Sequence, residues 1–284
     1  MDVAMIDDRM LPVGELDKSY LDRGLYFGDG VYEVLRSYDG RLFALEEHLS
    51  RFERSLKEIL IFDVNIAEIR QKVESCFAEC GYANAKIYFH VTRGSEPRNH
   101  LPGKGLKTNF LLTAESLGED AKAKSQGVSV WTHPDWRWKR CDIKSLNLLP
   151  NVMARIAVHP KGASEAILVN DANEITEGAG SAFFGVDGAE QALITRPLGP
   201  EILPSITRAM VSEVAHNVGL RMTERTLSPA QAAACDELFL AVTTKDIVPI
   251  TLFDGQPVGD GKVGPVCKKL IAEFAEFARG GRKK

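Results

Sequence analysis

The sequence predicts a mixed α+β / α/β fold in two domains, a smaller N-terminal α/β domain and a larger C-terminal strand-rich domain, facing each other across a cleft. Three observations carry this. At 284 residues the chain is long for one compact core. Its first part mixes helical and strand periodicity, and the later part is a series of short apolar runs with few helical stretches. Between them, "ESLGEDAKAKSQG" loses periodicity, gains charge and ends in glycine. The expected boundaries are 1–118 for the small domain, 119–127 for a linker and 128–284 for the large domain.

The elements follow in order. "DRGLYFGDGVYEVLR" (22–36) sets glycines around aromatic residues and continues into a strand that carries Tyr32; it lacks the G-x-G-x-x-G spacing of a dinucleotide fold. "LEEHLSRFERSLKEIL" (45–60) puts Leu45, Leu49, Phe52, Leu56 and Ile59 on one helical stripe. "AKIYFHVTRG" (85–94) alternates Ile87, Phe89 and Val91 with Tyr88, His90 and Thr92, which is a strand. "SEPRNHLPGKG" is a kinked polar loop, and "NFLLTA" (109–114) a second strand. Beyond the linker, "VSVWTH", "EAILVN", "SAFFGV", "ALIT" and "ELFLAV" are strands. "LPSITRAMVSEVAHNVG" (203–219) is a helix opening near Pro204 and stopping at Gly219. A further helix starts at Ser228 as N-cap with Pro229 behind it, and "GPVCKKLIAEFAEFARGG" is an amphipathic helix near the C-terminus.

Composition removes several functions. Hydrophobic residues make up 44% and charged residues 26%, with no long apolar stretch, so no membrane role is expected. A net charge of −4 gives no basic field for nucleic acid, and the basic "RGGRKK" end is expected to be solvated. The five cysteines include no C-x-x-C pair, which disfavours a metal site and fits a reducing, cytoplasmic compartment. The acidic N-terminal stretch also lacks the pattern of a secretory signal.

"RWKRCDIKSLNLLPN" (137–151) sets Lys144 in a run whose neighbours suit a strand and its turn. Taken alone, such a lysine more often snorkels its charged end to water. The alternative is an amine kept partly dry, able to lose its proton and attack a carbonyl. In an extended segment Cys141, three positions earlier, would face the other way and serve packing. A Schiff-base lysine is useful beside a carbonyl cofactor such as pyridoxal phosphate, which needs a phosphate seat and a partner for its ring nitrogen. "PSITR" offers the amides of Ile206 and Thr207 at a helix start. "AVTTKD" adds Thr243 and Thr244 just after a strand, and Glu177 in "EITEGAGSAFF" supplies a carboxylate beside Gly178 and Gly180. Arg98 and His100, two apart in a loop, turn to one side and suit a carboxylate. Each also has a plainer structural explanation as a cap, a strand former or a solvated loop charge.

Taken together and in order, "DRGLYFGDGVYEV", "EEHLSRFERS", "VTRG" with "RNH", "RCDIKSLNLLPNVMAR", "EAILVN" to "ITEG", "ITR" and "DELFLAVTTKDIVPI" resemble the class IV aminotransferases, the fold-type IV pyridoxal phosphate enzymes. The resemblance covers roughly 15–275 and is greatest to the D-amino acid aminotransferase (D-alanine aminotransferase) branch. It implies pyridoxal 5'-phosphate as cofactor, a Schiff base at Lys144, and Glu177 against the pyridine nitrogen. It implies Arg51, Ile206, Thr207 and Thr243 at the phosphate, and Leu203 on the cofactor ring. Tyr32, Arg98 and His100 match the family's trap for the substrate carboxylate, completed across a homodimer interface. Two positions depart from the family: "GAGSA" leaves Ser181 as the lone serine after Glu177, and Val242 stands where a phosphate-contacting serine is expected. The implied reaction moves an amino group from a D-amino acid to a 2-oxo acid such as 2-oxoglutarate or pyruvate. A branched-chain L-amino acid aminotransferase and an aminodeoxychorismate lyase are the alternatives within the family.

Overall fold

The structure is a computed structural model that describes residues 2–280. A hairpin of β1 (Val3–Ile6) and β2 (Arg9–Pro12) leads into a short helix α1 (Arg23–Phe27). Strand β3 (Gly30–Tyr38) and the two-residue β4 (Arg41–Leu42) precede helices α2 (Leu45–Glu58) and α3 (Ile66–Cys80). Strands β5 (Ala85–Thr92) and β6 (Asn109–Ser116) complete an antiparallel sheet of order β4-β3-β5-β6. The alternation in "AKIYFHVT" decides its inner face: Ile87, Phe89 and Val91 join Val31 and Leu35 of β3 and pack against Leu49, Phe52 and Leu56 of α2. Phe52 and Phe89 meet edge to face at 4.9 Å.

Helix α4 (Ala121–Gln126), capped by Asp120, forms within the stretch 119–127 expected to be a linker. The low apolar content that hid it is compensated by Lys124 and Ala123, which turn inward. The larger sheet then begins with β7 (Val128–Pro134). After it come α5 (Leu149–Val158), β8 (Glu165–Val169), β9 (Ile175–Gly178), β10 (Ala182–Asp187), β11 (Ala192–Thr195) and α6 (Ile206–Asn217). The chain continues through β12 (Arg221–Glu224), α7 (Pro229–Ala233), β13 (Glu237–Val242), β14 (Asp246–Phe253), the short β15 (Gln256–Pro257) and α8 (Pro265–Gly280). The strand order is β12-β11-β10-β13-β14-β7-β8-β9, with β15 paired to β14.

Both faces of this sheet are covered, which explains why its strands are apolar throughout rather than alternating. Phe184 and Phe239, stacked at 4.7 Å, face α6 and α8 together with Met210, Val214, Leu270 and Phe274. Phe183, Leu238 and Leu240 point the other way, into a second core with Ile167, Ile250 and Phe253. Ser228 and Gln231 form a reciprocal capping box on α7, as the Ser-Pro start suggested. Among the described residues no helix is long and apolar enough to cross a membrane. Of the basic end, Gly281, Arg282, Lys283 and Lys284 lie outside the described residues, while Arg279 pairs with Asp39 and Glu119 instead of being simply solvated.

Two local expectations fail. Lys144 does not lie on a regular strand: 137–148 is a series of turns that touches β3 through an isolated bridge between Val31 and Ser145. The alternation argument therefore does not apply, and Cys141 lines the same cleft as Lys144. Burial pushes the Cys141 thiol up to about 12, so it is an inert lining group.

Candidate active site

Between the two sheets opens a cleft lined by Tyr32, Arg51, Lys144, Glu177, Ser181, Leu203 and Thr243 among others. Seven of the residues singled out from the sequence thus surround one cavity. The main chain of Lys144 is held by the smaller sheet and its helix. Its carbonyl accepts from the amide of Tyr32 at 3.0 Å, and its amide donates to Ser55 Oγ at 3.3 Å. The amine Nζ then lies 4.2 Å from the centre of the Tyr32 ring.

Glu177 ends β9 with its side chain buried. Arg137 donates to its Oε1, and the amide of Leu203 reaches both carboxylate oxygens at 3.2 and 3.3 Å. Burial raises the Glu177 pKa above the ordinary carboxylate value, and Arg137 and Lys144 hold back part of that rise. Arg137 is itself fixed by Asp135, which Thr176 also supports. Gly178 is glycine because a Cβ there would overlap Ser181 Oγ, so the chain's own tight turn demands it rather than a flat ligand.

At the other end of the cleft, Ser205 caps α6 by accepting the amide of Arg208. The first-turn amides of Ile206 and Thr207 are those a helix start leaves over. Thr207 Oγ1 lies 3.4 Å from Thr243 Oγ1, which joins the two segments into one hydroxyl cluster. Arg51 reaches in from α2 and donates to the carbonyl of Pro204 at 3.0 Å. Its Nε and Nη2 grip both oxygens of Glu33 at 2.7 and 2.8 Å, and His48 Nδ1 meets the same carboxylate at 2.7 Å. Glu33 is fully buried, and burial alone would raise its pKa; Arg51 and His48 overturn that and lower it to about 2. Burial in turn lowers the His48 pKa.

Glu33, His48 and Arg137 escaped the sequence reading. Glu33 had a visible signal: it is a charged residue between Val31 and Leu35 on the core-facing register of β3. Arg137 had none, since it is one of several basic residues in "RWKR". Arg98 and His100 do not line this chain's cleft. Both side chains pack on Phe27, with Arg98 Cζ 5.2 Å and the His100 ring 5.4 Å from its centre.

A sequence profile of the family described as amino-transferase class IV matches residues 30–253. The chain belongs to the class IV aminotransferases. A D-alanine aminotransferase of Staphylococcus haemolyticus is 36% identical over 98% of this chain and 98% of its own. One of Listeria monocytogenes is 38% identical over 90% of this chain and 89% of its own. Among solved structures, the branched-chain amino acid aminotransferase of Escherichia coli superposes with a TM-score of 0.85 at 26% identity, covering 98% of this chain and 95% of that one. This class IV aminotransferase is a pyridoxal-phosphate-dependent enzyme, and the cleft has the donor set such a cofactor needs: one amine, one buried carboxylate, and a cation with hydroxyls and helix amides at the far end.

Proposed function

We infer that this aminotransferase exchanges amino groups between D-amino acids and 2-oxo acids, such as 2-oxoglutarate or pyruvate, with Lys144 as its reactive amine. The observation that carries the reading is the placing of Lys144, Glu177 and the Thr207/Thr243 cluster around one cleft, in a chain more than one third identical over nearly its full length to D-alanine aminotransferases. When bound, pyridoxal phosphate supplies an aldehyde carbon that condenses with amines and a ring that accepts the electrons freed at the α-carbon. Arg51, Thr243 and the first-turn amides of Ile206 and Thr207 would hold its phosphate, and Leu203 and Ser181 would line its bed. Glu177 would keep a proton on the ring nitrogen, and Arg137 opposes the rise that burial imposes on the Glu177 carboxyl. The Lys144 amine would act as the general base, taking the α-proton of the bound substrate and holding it for return. Tyr32 packs beside that amine and fixes its direction.

The substrate carboxylate falls to Tyr32 together with Arg98 and His100. The latter two sit outside their own chain's cleft, and on this reading they serve the cleft of a second copy in a homodimer. The exposed apolar stripe of α5 fits that arrangement: Leu149, Val152, Met153 and Ile156 recur at helical spacing and are between 44% and 70% exposed. The five free cysteines fit a cytoplasmic location.

The test is the visible spectrum of the holoenzyme without an acceptor, recorded with D-alanine and separately with L-alanine. Bleaching of the cofactor band by the D-isomer alone, reversed by 2-oxoglutarate, is expected. Bleaching by L-alanine or L-leucine instead would overturn the stereochemistry, and a band that no amino acid changes would overturn the transamination.

A further inference from the structure

The loop that carries Arg98 and His100 has little of its own to hold it. It contains Pro97 and Pro102, its side chains at 97–100 are exposed, and it belongs to no helix or strand. Its hold comes from Arg23, a side chain of α1 that is only 3% exposed. Three nitrogens of that guanidinium reach four acceptors. Nε donates to Asp29 at 2.8 Å, Nη1 to Glu96 at 2.7 Å and to the Asn99 carbonyl at 2.6 Å, and Nη2 to the His100 carbonyl at 2.9 Å. Among the described residues, these are the hydrogen bonds that tie the backbone between Pro97 and Pro102 to another element.

Four side chains meet on Phe27, in the same helix. Arg23 Cζ lies 4.9 Å from the ring centre, Arg98 Cζ 5.2 Å, the His100 ring 5.4 Å and the Tyr26 ring 5.9 Å. The aromatic face attracts the two guanidinium groups and packs against the His100 ring, so Arg98 and His100 rest on one platform. The base of the platform is fixed in turn: Arg93 holds Asp29 through both of its oxygens, and Glu96 also accepts the amide of Gly103 at 3.0 Å. Helix α1 starts on the Asp22 side chain, which takes the amide of Gly24.

We propose that Arg23 is a positioning residue for the substrate carboxylate, acting through Arg98 and His100 by clamping the backbone of their loop onto the Phe27 ring. This rests on the reading of Arg98 and His100 as the carboxylate trap. A guanidinium in a rigid fork can meet four acceptors at once, and a lysine ammonium, a point charge with three donors, cannot. The clamp acts on ground state and transition state alike, so its loss raises KM and leaves kcat in place.

The experiment is steady-state kinetics on the holoenzyme carrying Arg23→Lys, with D-alanine as donor and 2-oxoglutarate as acceptor. KM for both carboxylates should rise about tenfold together, with kcat within about twofold and the cofactor spectrum unchanged. The same substitution made in an Arg98→Ala/His100→Ala background should add less than about twofold, because a residue that acts through others has nothing left to position. Unchanged KM values, a fall in kcat alone, or full additivity with the double variant would overturn the proposal. If Arg98→Ala/His100→Ala itself leaves KM unchanged, the carboxylate-trap reading fails and the clamp falls with it. If that variant raises KM and Arg23→Lys does not, the clamp alone is wrong. Should Arg23→Lys not fold, Phe27→Leu removes the platform without disturbing a buried charge, and the same three results decide.

Discussion

Glu33→Gln isolates the electrostatic contribution of a single buried carboxylate. The side chain is fully buried, clasped by Arg51 through both oxygens and by His48 through one. A carboxyl group that titrates at about 2 rather than at 4.5 gains ~3 kcal/mol in its ionised form on folding. Since the folded value lies below the ordinary one, that contribution is whole above pH 4.5 and drains away as the pH falls from 4.5 towards 2. The melt is therefore read at pH 7, where none of it has been lost. Glutamine keeps the shape and one acceptor but removes the charge, so the cofactor-free variant should melt roughly 6–12 °C lower than the parent. Arg51 also loses the partner that sets its angle, so the affinity for pyridoxal phosphate should fall about tenfold. In an Arg51→Met background the same change should cost far less, because its main partner has gone. A drop below about 2 °C, or an equal drop in both backgrounds, would refute the reasoning.

Four further outcomes can be checked. Lys144→Ala should leave no turnover above background, and normal turnover would remove its assignment. Arg137→Leu takes away the cation that holds down a carboxyl already raised by burial. The acid limb of the kcat profile should then move upward and turnover at pH 7 should fall by about 100-fold; an unmoved limb would separate Arg137 from Glu177. Asp246 sits between Arg36, Lys124 and the Tyr38 hydroxyl, with φ of +62°. Asp246→Asn keeps a residue that tolerates this backbone and should still cost ~3 kcal/mol in urea unfolding, because the buried Arg36 and the half-buried Lys124 lose their ion-pair partner; a cost below ~1 kcal/mol would contradict this. Gly28 ends α1 with φ of +63°, and a Cβ there would overlap Asn147 Oδ1. Gly28→Ala should lower stability by ~1–2 kcal/mol, measured the same way, and a neutral result would show that the turn can relax.

Much of the architecture was legible because periodicity is a local property. The stripe of Leu49, Phe52 and Leu56, and the alternation of Ile87, Phe89 and Val91, both face the core they announced. The Ser-Pro start at 228–229 is a true capping box. What stayed hidden depends on tertiary partners. The turns around Lys144 have no period, and only their contacts with Gly30, Tyr32 and Ser55 give them shape. Helix α5 follows them with an exposed apolar stripe that was not recognised as a helix in its own right. Among the site residues, a family pattern could point to Lys144, Glu177 and Arg51, because their chemistry is carried by residue type. Arg137 and Glu33 work through ion pairs to Glu177 and Arg51, and Arg23 through hydrogen bonds to the loop of Arg98 and His100; a partner 40, 18 or 77 positions away leaves no mark in a local pattern.

The seam around Lys144 has one more implication. Residues 144–146 belong by chain order to the stretch leading into α5, yet their backbone is stitched to β3 and α2: Tyr32 to the Lys144 carbonyl, Lys144 to Ser55, and Leu146 to Gly30. Glu177, Thr207 and Thr243 ride on the other sheet. The amine proposed to react is thus mounted on one sheet and the residues proposed to hold the cofactor on the other. Any looseness between the sheets becomes a misalignment of chemistry before it becomes a loss of structure, and the enzyme should fade in colour and turnover while its secondary structure is still intact.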